Sequence, residues 1–284
     1  MQPIFCFIDD AAFELDNFRA NIAPAFKGVE WVYARDFGRA QAKLEERRCL
    51  CFLLDIYGAA PGAEPGDPPD PGELAPALGQ GFEVNELYQE LEGEGGERAN
   101  QFLRRLYARV NAAQQAFLSA AAQLGQGPAF GLETLAQVRR EHPWAAALGY
   151  SRKALYADAA AMCRGGADGV LQKPQGADEA AIAQASREAA PGLARAAYAA
   201  VDRRLARLIG ELGLRLCRQG AGLPLVEALQ SGLEQISGPE RGRESAGRRE
   251  ALERLKAIRL EEMDLEERDK ETILALWDWL SLET

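Results

Sequence analysis

The chain is nearly without histidine, and its basic residues are outnumbered by acidic ones. A single histidine, His142, stands among 284 residues. Any histidine-dependent triad or multi-histidine metal centre uses that residue or does not exist. Basic charge is scarce: 33 Lys and Arg against 43 Asp and Glu leave a net charge of −10. A nonspecific nucleic-acid binder needs the opposite balance to displace counterions from phosphates. No run approaches the roughly 18 uninterrupted apolar residues of a membrane span. The N-terminus, MQPIFCFIDD, has no basic segment and carries acids at positions 9 and 10, which speaks against a secretory signal. Five cysteines (Cys6, Cys49, Cys51, Cys163, Cys217), odd in number and without a Cys-x-x-Cys pair, speak against a disulfide framework and a structural zinc. They read as buried free thiols, and the chain as a cytoplasmic protein. Apolar residues at 47% and charged residues at 27% exclude wholesale disorder.

What is present alternates. Residues 3–8 form an apolar run ending in Asp9-Asp10, with a helical pattern after it through Phe13, Phe18 and Ile22. Trp31 to Ala34 reads as a second strand, followed by a helix through Phe37, Ala40 and Leu44. Cys49 to Ile56 is a third strand with Asp55 at its far end. Ala145–Tyr150 and Gly169–Leu171 read as a fourth and fifth strand around a helix at 154–165. Apolar strands alternating with helices predict a parallel sheet covered on both faces, with ligands beyond the carboxyl ends of the strands. Asp9, Asp10, Asp55, Ser151 and Lys173 all fall at those ends.

A long interruption follows the third strand. Residues 58–81 hold six prolines and six glycines, which neither a helix nor a central strand accommodates. Helices are expected at 82–92 and 97–124, the second with a stripe of Leu103, Leu106, Tyr107, Val110, Phe117 and Leu124, and another at 131–141. Beyond Pro191 the pattern is helical throughout: Leu205, Leu208, Ile209, Leu212 and Leu216 mark a helix over 192–219. Shorter helices are expected at 224–236, 250–263 and 266–281, with a polar linker over 237–249. Arg241, Arg243, Arg248 and Arg249 are interleaved with glutamates, the pattern of a solvated linker. His142 reads as a helix-terminal cation or a surface residue.

Carboxylates gathered at the strand ends of one sheet repel one another, and a hard divalent cation such as Mg2+ relieves that repulsion through oxygen ligands. With an ion beside it, Asp55 could attack a phosphoryl group, while Lys173 pairs with the phosphoryl oxygens and Ser151 donates a hydrogen bond.

This arrangement resembles the receiver domain of two-component response regulators over residues 3–57 and 131–190. The resemblance rests on Ile8-Asp9-Asp10 after the first strand and Leu53-Leu54-Asp55 at the third. It continues with Ser151 after the fourth strand and Lys173-Pro174 after the fifth. It implies a five-stranded parallel sheet in order 2-1-3-4-5 with helices on both faces. It also implies Asp55 as phospho-acceptor and Mg2+ held by Asp10, Asp55 and the Tyr57 backbone carbonyl, with Asp9 assisting. The partner it implies is a histidine kinase or phosphotransfer protein. Three positions depart from the pattern: Ala59 stands where a proline is usual after the acceptor, Val170 where the switch aromatic is expected, and Arg152 where a small residue is usual.

The chain is thus expected to be an α/β receiver-like domain over 1–190, with a helical insertion at about 58–130, and an all-α module over 191–284. The expected function is a phosphorylation-dependent signalling switch rather than an enzyme, with at most autophosphorylation from a phosphodonor and slow self-dephosphorylation. The stripe on 192–219 suggests a homodimer through the C-terminal helices, and insertion and tail are expected to share apolar surface as one helical body. A tail without a basic helix-turn-helix argues against nucleic-acid binding. One alternative is a pseudo-receiver that binds protein partners without phosphorylation. A haloacid-dehalogenase-like phosphatase ranks last, because neither Asp9 nor Asp55 has an acid two residues on.

Overall fold

The computed structural model describes residues 2–59, 67–72, 84–219, 223–237 and 246–282. Most of the Pro/Gly-rich segment, the start of the helix expected at 82–92, and residues 238–245 of the linker with Arg241 and Arg243 lie outside the described residues. The described elements run β1 (Ile4–Ile8), α1 (Ala12–Asn21), β2 (Glu30–Ala34), α2 (Phe37–Leu44) and β3 (Cys49–Leu54). Next come β4 (Gly58–Ala59), α3 (Gly96–Gln123), β5 (Gln126–Gly127), α4 (Ala129–Glu141), β6 (Ala146–Ser151), α5 (Tyr156–Arg164) and β7 (Gly169–Gln172). The chain closes with α6 (Glu179–Arg218), α7 (Leu223–Ser237), α8 (Ala246–Lys256) and α9 (Glu267–Leu280).

Two compact units result, residues 1–56 with 131–284 and residues 57–130. The first is built on a five-stranded sheet in the order β2-β1-β3-β6-β7, every pair parallel. With the two short strands of the insertion set aside, this is the expected order 2-1-3-4-5. All residues of β1, β3 and β6 are buried. That burial explains why these strands are apolar without alternation. Phe5 and Phe7 of β1, Cys51 and Leu53 of β3, and Leu148 and Tyr150 of β6 join one core with Leu15 and Phe18 of α1 and with α6.

The C-terminal region belongs to this same core. Helix α6 is continuous over 40 residues with Pro191 inside it, so the expected boundary at 190 falls within a helix. Both Pro191 and Arg187, whose carbonyl the ring leaves without a helical donor, are exposed, so water can satisfy that carbonyl. Leu205, Ile209, Leu212 and Leu216 are buried with Leu225 and Leu229 of α7, Leu255 of α8 and Ile273 and Leu276 of α9. The stripe that suggested a homodimer is covered inside the chain.

The tail closes the amino ends of the strands, the end of the sheet away from Asp9 and Asp55. Trp279 lies 6.2 Å from Phe5, ring to ring, and donates to Asp202 at 2.8 Å. Arg48, just before β3, reaches Glu271 at 2.8 Å and Asp278 at 2.6 Å, and Arg204 donates to the Pro143 carbonyl ahead of β6.

Among the described residues, the second unit holds a strand pair, a 3-10 turn and one long helix. β4 and β5 pair antiparallel, Gly58 opposite Gly127. α3 runs for 28 residues and buries only Ala116 and Ala121, while Tyr57 packs on Phe117 with ring centroids 5.5 Å apart. Arg109 pairs with Glu86, and residues 84–87 form one turn of 3-10 helix rather than the longer helix expected. Leu103, Tyr107 and Val110 of the expected stripe are exposed. The tail shares its core with the sheet, and residues 57–130 form a compact unit of their own.

Candidate functional site

Parallel pairing carries β1 and β3 to the same level and leaves their next residues side by side. The Asp55 amide donates to the Ile8 carbonyl at 2.9 Å, and the Asp9 amide to the Ala34 carbonyl at 3.0 Å. On the other side the Lys173 amide donates to the Ser151 carbonyl at 3.0 Å. The ladder itself therefore sets Asp9, Asp55, Ser151 and Lys173 on one rim, at the carboxyl ends where such sheets bind ligands.

Lys173 Nζ hydrogen-bonds to Asp9 Oδ2 and lies 3.2 Å from Asp55 Oδ1. Its stem passes the rings of Phe7 and Tyr150, with the ammonium under 6 Å from each. Asp55 Oδ1 also accepts from the Ile56 amide at 2.9 Å, and Asp9 Oδ1 from the Ala11 amide at 3.0 Å. Carboxylate oxygens of Asp9, Asp10 and Asp55 lie within 4.8 Å of one another. Asp9, Asp55, Ser151 and Lys173 are all buried, and Asp10 is half-buried.

Burial pushes the Asp9 carboxyl up to about 7, and the neighbouring Asp55 adds to the rise against the pull of Lys173. Burial alone would favour the neutral amine of Lys173. The carboxylates of Asp9, Asp55 and Glu14 outweigh it and hold the ammonium above its ordinary range. Three clustered carboxylates against one buried ammonium leave the rim short of positive charge. An all-oxygen donor set with surplus negative charge fits Mg2+ and does not fit a soft metal.

Ser151 is the last residue of β6, and Leu155 stands at the N-cap of α5. The Ser151 hydroxyl accepts a long 3.4 Å contact from the Lys153 amide. Tyr57, expected to offer its carbonyl, is buried two residues beyond Asp55 and begins the second unit.

One member of the site escaped the sequence reading. Glu14, on the first turn of α1, lies with Oε2 4.0 Å from Lys173 Nζ and receives Arg152 Nη1 on Oε1 at 2.6 Å. Its place four residues after Asp10, one helical turn on, is the available signal. His142 takes no part. It is buried between Phe52 and Trp144, neither terminal cation nor surface residue. Of the five cysteines Cys6, Cys49 and Cys51 are buried as expected, whereas Cys163 and Cys217 are exposed.

No protein-family model and no curated protein matches the chain. Among solved structures it is similar to a response regulator receiver domain protein (CheY-like) from Methanospirillum hungatei JF-1. The identity is 14%, over 72% of this chain and 97% of that one, with a TM-score of 0.36. No described helix is long and apolar enough to cross a membrane.

Proposed function

We propose that the chain is an atypical response regulator whose receiver-like body accepts a phosphoryl group on Asp55. The observation that carries this reading is the buried ammonium of Lys173, 3.2 Å from Asp55 Oδ1, in a rim where Asp9, Asp10 and Asp55 converge. In transfer, a lone pair of the Asp55 carboxylate forms the new O–P bond. The bond from phosphorus to the donor breaks, and the donor leaves with that electron pair. Lys173 pairs with the phosphoryl oxygens as charge gathers on them, and the Ser151 hydroxyl, which accepts a long contact from the Lys153 amide, donates to another. Asp10 and Asp55, with Asp9 and the Tyr57 carbonyl assisting, would hold Mg2+, which neutralises charge between the carboxylates and the incoming group. The donor partner is a histidine kinase or phosphotransfer protein, and the role is a cytoplasmic signalling switch rather than an enzyme.

A second reading, a pseudo-receiver that binds partners without phosphorylation, draws on the 5% exposure of Asp55 and the Lys173–Asp9 pair, which together leave the acceptor closed in. Labelling of the full chain by a radioactive small phosphodonor separates the two. Mg2+-dependent incorporation that disappears in Asp55→Asn is the expected result, with Mg2+ affinity at least tenfold weaker in Asp10→Asn. Equal labelling of wild type and Asp55→Asn, or none in either, leaves the binding module as the better reading.

A further inference from the structure

Arg152 follows Ser151 directly, and its guanidinium joins three segments of the rim. Nη1 donates to Glu14 on α1 at 2.6 Å, and Nε donates to the carbonyl of Pro174, the residue after Lys173, at 2.9 Å. The pair is largely sheltered, with side chains 25% and 14% exposed. Glu14 in turn lies 4.0 Å from the Lys173 ammonium, which lies 3.2 Å from Asp55. A continuous line of alternating charge therefore runs from Asp55 through Lys173 and Glu14 to Arg152.

That line cannot stay as it is once charge is added at Asp55. A phosphoryl group brings about −1.5 to −2 units and three strong acceptor oxygens. It draws Lys173 toward itself and repels Glu14, the carboxylate that Lys173 no longer shields. A guanidinium is always charged, and its donor fork matches phosphoryl oxygens at least as well as a carboxylate. We propose that Arg152 is a phosphoryl-binding residue held in reserve by Glu14, and that it exchanges Glu14 for the phosphoryl oxygens when Asp55 is modified. This rests on the reading of Asp55 as acceptor.

The exchange has a mechanical consequence. It pulls residues 151–155 between β6 and α5 toward the rim and frees α1 from that segment. Helix α1 is bonded to α6 through Asn17 and Ser186 at 3.0 Å, and α6 continues into the tail. The charge at Asp55 thus reaches the tail by ion-pair exchange, in a chain with Val170 where the switch aromatic would stand.

A double-variant cycle on the full chain tests this, read as the affinity for beryllofluoride, a phosphoryl mimic, at saturating Mg2+. Arg152→Ala is expected to weaken binding at least about tenfold, whereas Glu14→Gln, by releasing the arginine, tightens it severalfold. In the Arg152→Ala background Glu14→Gln loses that effect. Thermal melting of each variant confirms that it is folded. Equal weakening by both single variants makes the pair a structural tie and overturns the proposal, as does tightening by Glu14→Gln that persists without Arg152. No binding by wild type, or binding unchanged in Asp55→Asn, removes the acceptor reading itself and the proposal with it. Binding that depends on Asp55 but not on Arg152 removes the proposal alone.

Discussion

His142 shows what the interior of this fold does to a titratable side chain. Its Nε2 faces Gln41 Oε1 at 2.7 Å, its Nδ1 has no hydrogen-bond partner among the described residues, and Phe37, Phe52 and Trp144 surround the ring. Burial lowers its pKa to about 4, although Glu141 and Glu271 attract the proton. The imidazole is thus held neutral in the folded protein and protonates near 6.5 when unfolded. Its contribution to stability is fully present above pH 6.5 and lost as pH falls from there to about 4. The total is at most on the order of 3 kcal/mol. Urea unfolding of wild type against His142→Phe is expected to show that difference in slope between pH 6.5 and 4, and parallel profiles would place the ring in water. Sequence reading put His142 at a helix end because His-Pro reads as a terminus. Nothing local reveals that the turn into β6 buries the ring. Asp9, Asp55 and Lys173 were legible because each ends an apolar run, whereas the Glu14–Arg152 pair joins residues 138 positions apart and depends on the folded rim.

At the scale of elements, the site depends on how closely α4 approaches the end of β3. The Gly131 amide donates to the Ile56 carbonyl at 3.1 Å. A Cβ on Gly131 would come within 2.6 Å of the Ile56 Cα and 2.8 Å of the Asp55 carbonyl oxygen. Those are backbone atoms, which cannot turn aside as a flexible side chain would. Gly131→Ala is expected to lower stability by about 1–3 kcal/mol through overpacking, and to weaken Mg2+ binding by shifting the turn that carries Asp55. Gly210→Ala, in the interior of α6 with open space around it, is expected to raise stability by up to about 1 kcal/mol. Similar unfolding midpoints for the two variants would show that α4 yields. The strands were legible to within a residue or two, since fully buried parallel strands carry unbroken apolar runs. The continuity of α6 was not, because Pro191 looks like a boundary and its helical accommodation depends on its facing water.

At the scale of the whole chain, the two units imply two different results of cutting. The tail is part of the core: Tyr198 lies 5.9 Å from Phe5 and 5.6 Å from Phe26, and Trp279 lies 5.6 Å from Tyr198, ring to ring. Ending the chain at 190 would remove these rings together with Val201, Leu205 and the carboxylates that pair with Arg48, and would expose the amino ends of β1 and β3 to water. Such a fragment is expected to lose the hydrogen-exchange protection of β1 and to aggregate. The insertion is different. Its flanking residues Ile56 and Gly131 belong to the first unit and are hydrogen-bonded to each other, so a linker of a few glycines and serines spans the gap, and closing a shorter loop lowers the entropy of the unfolded chain. Replacing residues 58–128 by such a linker is expected to leave exchange protection in β1, α6 and α9 as it was. Loss of protection in α7–α9 on this replacement, with β1 unchanged, would instead show that the insertion supports the tail. Retained protection in the 1–190 fragment would show the sheet to be independent of the helices that cover its amino end.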